Sequence, residues 1–217
     1  AVAGKLRCFG MQLQSSQKLF LILIALLSWF GAGLQLYIIL ANDTMPFLKA
    51  IIHFISFFFF LANIIVAIAV TAMLFGKDKW LVFFSKPQVL TAIAVYILVV
   101  FLVYNIVLRS LWKPEGWQLV ADNLLHVINP LLFIIYWFIY VPGRSLTYKQ
   151  ITPWLLYPFV YLVYVLIRGF FTGAYPYPFI DVVQQGYETV LLNAAILFVI
   201  FTALSCLFIF LGRFKRV

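Results

Sequence analysis

Residues 88–111 read QVLTAIAVYILVVFLVYNIVLRSL, and this stretch decides the fold class. No charged residue occurs in it before Arg109. A helix needs about 20 mostly apolar residues to cross the hydrocarbon of a bilayer. The apolar residues are continuous, and they do not alternate with polar ones as in the strands of an outer-membrane barrel. The stretch therefore predicts a membrane-spanning α-helix.

Five other stretches have the same character. They lie at about 19–40, 47–75, 119–141, 153–172 and 189–212. Hydrophobic residues make up 66% of the 217 residues and charged residues only 10%, against about 25% charged in an average soluble protein. So few charges cannot cover a soluble fold, which excludes a soluble enzyme. The sequence predicts an all-α membrane protein in which residues 1–217 form one domain, a bundle of six transmembrane helices.

The basic residues indicate how this bundle is oriented. Eleven of the 15 Lys and Arg residues fall on the side that carries both termini: Lys5, Arg7, Lys18, Lys77, Lys79, Lys86, Arg144, Lys149, Arg213, Lys215 and Arg216. The other side has Lys49, Arg109, Lys113 and Arg168. Cytoplasmic loops of membrane proteins carry the excess of Lys and Arg. We therefore expect both termini to be cytoplasmic, and the net charge of +9 to reflect topology and imply no nucleic-acid partner.

Span four carries the most informative polar residues. Asp122, His126 and Asn129 are spaced i, i+4 and i+7, so they share one helix face. Ionisable groups are costly in a bilayer and usually face the interior of a bundle. Pro130 has no N–H, so the carbonyl of His126 loses its helical partner. We expect this face to point inward, with His126 lining an outward-opening cavity that also touches span two. A histidine with only a packing role is the alternative.

Three other spans have polar stripes that could meet this face. They are His53, Ser56 and Asn63 in span two, Tyr104, Asn105 and Arg109 in span three, and Tyr157, Tyr161, Tyr164 and Arg168 in span five. Such asparagines often join helices, and tyrosine stripes more often pack than catalyse. Placement at the membrane interface is the simpler interpretation of His53 and Arg168.

The longest outer connection, residues 173–186, reads GAYPYPFIDVVQQG. Its aromatic and proline content is unlike that of a solvated loop, and we expect it to fold back over the bundle as a lid. Asp181 could pair there with Arg168, Lys49 or Arg109. The two cysteines, Cys8 and Cys206, predict neither a disulfide nor a zinc site, and we expect no metal and no cofactor.

Several motifs carry a family resemblance. They are LHVINPLL at 125–132, LYPFVY at 156–161, IRG at 167–169 and YPYPFID at 175–181, together with Gln35, Asn63 and Tyr104–Asn105. Over about residues 30–190 the chain resembles bacterial six-span integral membrane proteins related to the androgen-induced membrane hydrolases (FAR-17a type). This resemblance implies a multi-pass protein of the inner (plasma) membrane.

The resemblance also implies a chemistry. Animal members of that family are intramembrane hydrolases of fatty acid esters of hydroxy fatty acids, and they use a threonine on an early span and a histidine on a later one. The imidazole takes the hydroxyl proton, and the alkoxide attacks the ester carbonyl. His126 matches the histidine, but the threonine position is Phe59 here, and Ser56 is the nearest hydroxyl. We assign His126 and Ser56 as catalytic, and as substrate-binding Asp122, Asn129, Asn63, Tyr161, Arg168, Tyr177 and Asp181.

Two hypotheses therefore stand side by side. In the first, the protein is an intramembrane lipid-ester hydrolase with His126 as the base. In the second, it is a catalytically inert relative that binds a lipid or serves as the accessory subunit of a membrane protein partner. Membrane lipids are partners in both, and a lipid ester is the substrate in the first. A small transporter is disfavoured because we find no internal repeat.

Overall fold

The computed structural model describes residues 13–42 and 45–215. Within these ranges the chain is almost entirely helical and contains no strand. Four residues used in the sequence argument, Lys5, Arg7, Cys8 and Arg216, lie outside the described residues.

The helices follow one another with short connections. Their bounds are α1 Ser15–Ala41, α2 Phe47–Ile55, α3 Phe58–Phe75, α4 Asp78–Phe84, α5 Pro87–Val103, α6 Gly116–Asn123, α7 Asn129–Tyr140, α8 Ile151–Thr172 and α9 Val182–Phe214. Two π-helical segments continue α5 and α6, at Tyr104–Leu108 and Leu124–Ile128. Six continuous helical stretches are long and apolar enough to span a membrane: Ser15–Ala41, Phe58–Phe75, Pro87–Leu108, Gly116–Tyr140, Tyr148–Thr172 and Val182–Phe214. The predicted six-helix class is confirmed.

Helix α5 lies at the centre of the bundle. It contacts α3, α7 and α9, and α1 packs against α3 on the other side. Residues 90–97 of α5 are all buried, so this helix has no face turned to lipid over two turns. A helix that is apolar and buried all round belongs to the core of a membrane bundle. Helices α8 and α9 lie at the periphery and expose long apolar faces.

The second span is interrupted, contrary to the continuous stretch 47–75 that the sequence predicts. Helix α2 ends at Ile55, and α3 begins at Phe58. The Tyr161 hydroxyl accepts a hydrogen bond from the Phe58 N–H (3.2 Å) and donates one to the Ser56 carbonyl (2.8 Å). Free backbone groups at membrane depth are tolerated only when the protein satisfies them. The spanning part therefore starts at Phe58.

The 173–186 segment packs onto the end of the bundle opposite the termini. Gly173 has φ of 66° and ends α8 in the left-handed region, which glycine adopts without strain. Tyr177 and Ile180 are buried, at 9% and 3% exposure. The predicted packing of this segment is confirmed. Asp181 forms no salt bridge among the described residues; its carboxylate instead caps α9 by accepting from Val183 N–H at 2.9 Å.

Candidate functional site

Two π-helical segments position the centre of the site. In Leu124–Ile128 the N–H of Asn129 bonds to the Leu124 carbonyl, five residues back. In Tyr104–Leu108 the Arg109 N–H bonds to the Tyr104 carbonyl in the same way, at 2.8 Å. Single π-turns inside α-helices occur frequently at functional sites. In span four the π-turn comes directly before Asn129 and Pro130, and the Leu125 carbonyl within it accepts a hydrogen bond from Asn63 Nδ2 at 2.9 Å.

His126 is held between two aromatic rings. The Tyr104 ring stacks on the imidazole with centroids 4.1 Å apart and planes 18° from parallel. The Phe59 ring lies 4.2 Å away, tilted by 47°. His126 is 5% exposed, Asp122 4% and Asn129 0%. The prediction that this polar face points into the bundle is confirmed.

Hydrogen bonds fix the orientation of the imidazole and the tautomer of its neutral form. Its Nδ1 lies 3.0 Å from the Asp122 carbonyl oxygen and 3.3 Å from the Asp122 carboxylate oxygen Oδ1. A carbonyl oxygen only accepts, so Nδ1 carries the hydrogen and Nε2 of the neutral ring is the acceptor. The Tyr104 hydroxyl donates to the other carboxylate oxygen, Oδ2 of Asp122. Asp122 thus joins His126 and Tyr104, and the free nitrogen of His126 is the basic one.

Two bonded asparagines, Asn63 of α3 and Asn129 at the start of α7, lie beside the π-turn. Asn63 Nδ2 donates to the Phe59 carbonyl (2.8 Å) and to the Leu125 carbonyl (2.9 Å). Asn129 Nδ2 donates to Asn63 Oδ1 at 3.2 Å. Both side chains are completely buried, and neither lines a cavity described below. They hold His126 in place through the backbone and do not face a ligand.

A cavity of about 450 Å³, here called the polar chamber, lies above His126 at the end opposite the termini. Ligand pockets commonly have volumes of about 300–1,000 Å³. Its polar lining residues are Gln35, Asn42, His53, Tyr104, Gln118, Asp122 and His126. Loop residues Pro176, Tyr177 and Pro178 form part of its wall. Gln35 and Gln118 bond to each other through their amides, at 3.3 and 2.8 Å.

A second cavity, here called the apolar cleft, lies on the other side of the imidazole. Its volume is about 80 Å³. Apart from the residues shared with the polar chamber, its walls come mainly from α5, α8 and α9: Val99, Val100, Val103, Pro158, Leu162, Ala194, Leu197, Phe198 and Phe201. Both cavities are lined by the same five residues, Phe59, Tyr104, Leu108, His126 and Tyr177. A polar space and an apolar space therefore meet at His126.

Of three other residues assigned from the sequence, Tyr161 lines a cavity, whereas Ser56 and Arg168 line neither. Tyr161 lines the apolar cleft. Ser56 Oγ donates to the Ile52 carbonyl (2.5 Å) and pairs with the Tyr164 hydroxyl (3.1 Å). Among the described residues no hydrogen bond joins Ser56 to His126. Arg168 Nη1 donates to the Ala174 carbonyl at 3.0 Å and lines neither cavity.

Sequence reasoning missed three residues of the site. Gln118 lies four residues before Asp122 and extends the inward face by one turn, a spacing that could have identified it. His53, interpreted as an interface residue, lines the polar chamber. Phe59 was considered only as a substituted position, but its ring covers one side of the imidazole. No signal in the sequence indicates that contact.

The fold and the site together define a polytopic helical membrane protein with a buried polar centre between two cavities. No family model matches the chain, and neither a curated protein nor a solved structure does.

Proposed function

We propose that the protein binds a membrane lipid across His126, with the head group in the polar chamber and the start of an acyl chain in the apolar cleft. The observation that carries this proposal is the sharing of lining residues by a polar and an apolar cavity, with His126 at their junction. An amphipathic molecule matches such a pair of surfaces, because each part is buried against groups of its own kind.

The sizes of the two cavities agree with this arrangement. The apolar cleft, at about 80 Å³, is much smaller than the polar chamber, at about 450 Å³. It accepts only the beginning of a chain, and the rest runs along α8 into the bilayer. The exposed apolar side chains of α8, including Leu156, Phe159 and Val163, suit that path.

Blocking the cleft tests the proposal. Ala194 lines the apolar cleft and is 6% exposed, so Ala194→Phe fills it. Ala195 is the adjacent exposed residue, and Ala195→Phe adds the same ring to the periphery. Native mass spectrometry of protein extracted from membranes in mild detergent counts the retained lipid. We expect retention by the unchanged protein and Ala195→Phe, and loss in Ala194→Phe. Equal retention by both variants contradicts the proposal.

Hydrolysis of a lipid ester is the second candidate function. It is favoured by the hydrogen bond from Nδ1 to the Asp122 carbonyl, which leaves Nε2 of His126 as a base. In this reaction Nε2 takes a proton from an attacking hydroxyl or water, and the proton then passes to the leaving alkoxide. The family resemblance at residues 125–132 and 175–181 supports this candidate.

Two variants distinguish hydrolysis from lipid binding alone, and Ser56 from water as the nucleophile. His126→Ala abolishes ester cleavage if the imidazole is the base. Ser56→Ala abolishes it only if Ser56 leaves Ile52 and Tyr164 to act as the nucleophile, whereas attack by water leaves Ser56→Ala active. Release of fatty acid from a panel of lipid esters measures the activity. Cleavage that survives in His126→Ala excludes this candidate, and an inactive unchanged protein leaves lipid binding alone.

The orientation is part of the same proposal. The excess of Lys and Arg on the side of the termini supports an inner-membrane protein with both termini in the cytoplasm. In a background without the native cysteines, Lys113→Cys should react with an impermeant maleimide from outside, and Ser145→Cys should be protected. The reverse labelling would invert the assignment.

A further inference from the structure

The lining of the polar chamber restricts the chemistry of the head group. We infer that the bound lipid has an uncharged head that carries hydroxyl or amide groups, as an acylglycerol does, and not a phosphate or a carboxylate. This inference rests on the proposed lipid binding and specifies the substrate class of that site.

The first argument is the charge of the chamber. Among residues 13–42 and 45–215, Asp122 is the one acidic side chain of the lining, and no Lys or Arg belongs to it. The Asp122 carboxylate is held by Tyr104 and His126. An anionic head group would give up part of its hydration in the chamber, meet no Lys or Arg in the described lining and face the Asp122 carboxylate of like charge. A head without charge avoids all three costs.

None of the four basic residues predicted at this end of the bundle, Lys49, Arg109, Lys113 and Arg168, lines the chamber. Arg109 Nη1 donates to Asn105 Oδ1 at 2.9 Å, and Arg168 Nη1 donates to the Ala174 carbonyl at 3.0 Å. His53 lines the chamber from α2, which lies outside the six spans. Burial, and then the nearby Arg168, lowers the pKa of His53 below its ordinary value, so the imidazole is neutral at pH 7. Apart from Asp122 and its partner His126, the polar side chains of the lining are neutral donors and acceptors.

The second argument is the pair of glutamines. Gln35 and Gln118 both line the chamber and exchange two amide hydrogen bonds. Each amide has a donor and an acceptor. A hydroxyl head can insert between them and replace both bonds with bonds of the same kind, so little hydrogen bonding is lost. A phosphate offers acceptors only and leaves the amide oxygens without a donor. Asn42 adds a further neutral group to the same lining.

A series of ligands with one acyl chain tests the inference. Purified protein in lipid nanodiscs is titrated with 1-oleoylglycerol or oleoyl lysophosphatidate, and native mass spectrometry measures the bound fraction. We expect 1-oleoylglycerol to bind at least about tenfold more tightly than oleoyl lysophosphatidate, since the phosphate meets no Lys or Arg among the described lining residues and faces the Asp122 carboxylate. Ala194→Phe should weaken its binding, which ties the signal to the cleft.

An added positive charge in the chamber should reduce the preference for the uncharged lipid. Gln118→Lys places a cation in the chamber and should raise the affinity for oleoyl lysophosphatidate about tenfold. Gln185→Lys, on the exposed surface of α9, adds the same charge elsewhere and should leave the preference unchanged. The melting temperature of each variant shows whether it folds like the unchanged protein. The comparison of the lipids on the unchanged protein tests the inference without either variant.

The outcomes separate the inference from the proposed function. Equal or tighter binding of oleoyl lysophosphatidate by the unchanged protein overturns the uncharged-head assignment, and loss of that binding in Arg168→Gln would identify Arg168 as the cation. Lipid binding itself stands in that case. Binding of no lipid in the series, or binding that Ala194→Phe leaves intact, removes the proposed function and this inference with it.

Discussion

Asn63 is the polar side chain on which the geometry around His126 most depends, and its replacement tests that role. Asn63→Leu has nearly the same size but removes two donors and an acceptor. The Leu125 carbonyl in the π-turn loses its partner, and so does Asn129 Nδ2. All of these groups lie in the interior, where no other described side chain bonds to them.

The expected loss follows from these two groups. A buried polar group that loses its partner costs about 1–3 kcal/mol, and interhelical hydrogen bonds in membranes average about 0.6 kcal/mol. We expect Asn63→Leu to lower the free energy of unfolding by about 2–4 kcal/mol. Asn105→Leu is the matched control, because Asn105 bonds within its own helix to Phe101 O (2.8 Å) and to Arg109. Asn105→Leu should lower the free energy of unfolding by less than about 1 kcal/mol.

Steric trapping in bicelles measures these free energies without full denaturation. The double variant Asn63→Leu/Asn129→Leu removes both members of the pair, so fewer polar groups are stranded. The decrease in its free energy of unfolding should be smaller than the sum of the decreases in the two single variants by at least about 1 kcal/mol. Additive losses, or a loss below about 0.5 kcal/mol for Asn63→Leu alone, would refute the role assigned to Asn63.

Two further predictions concern the end of the bundle that carries the termini. A Cβ at Gly143 would lie 2.8 Å from the carbonyl oxygen of Gly212. Gly143→Ala should therefore lower the free energy of unfolding by about 1–3 kcal/mol. Gly33→Ala, where a Cβ enters open space, should leave it unchanged, and equal effects of the two variants would disprove the contact. The Lys215 ammonium lies 4.1 Å from the Trp137 ring centroid and donates to two carbonyls at the end of α7. Lys215→Met should cost about 1–2 kcal/mol by the same assay, and an unchanged stability would rule this cap out.

The six spans and the inward face of span four could be predicted because their signals are local. Continuous apolar stretches define the spans, and the spacing of Asp122, His126 and Asn129 defines the face. The cost of presenting such groups to lipid leaves one orientation. The same reasoning, continued one turn back, reaches Gln118.

The break in span two could not be predicted, because its cause is distant in the chain. Residues 54–60 contain neither proline nor glycine. The break exists because Tyr161 and Tyr177, more than 100 residues later, bond to the free N–H groups of Phe58 and Phe59. The contact of Phe59 with His126 depends on this break, so it was also beyond the sequence. A tyrosine stripe by itself does not indicate which backbone groups it serves.

Photolabelling within the membrane tests the central claim, that an acyl chain enters the apolar cleft beside His126. Cells that express the protein are fed a fatty acid with a diazirine near its carboxyl end, so that every class of acyl lipid carries the probe. After irradiation, peptide mapping locates the adducts. We expect labelling at Leu162 and Leu197 in the cleft, and its loss in Ala194→Phe but not in Ala195→Phe. Adducts confined to lipid-exposed residues, unchanged by Ala194→Phe, would contradict the account.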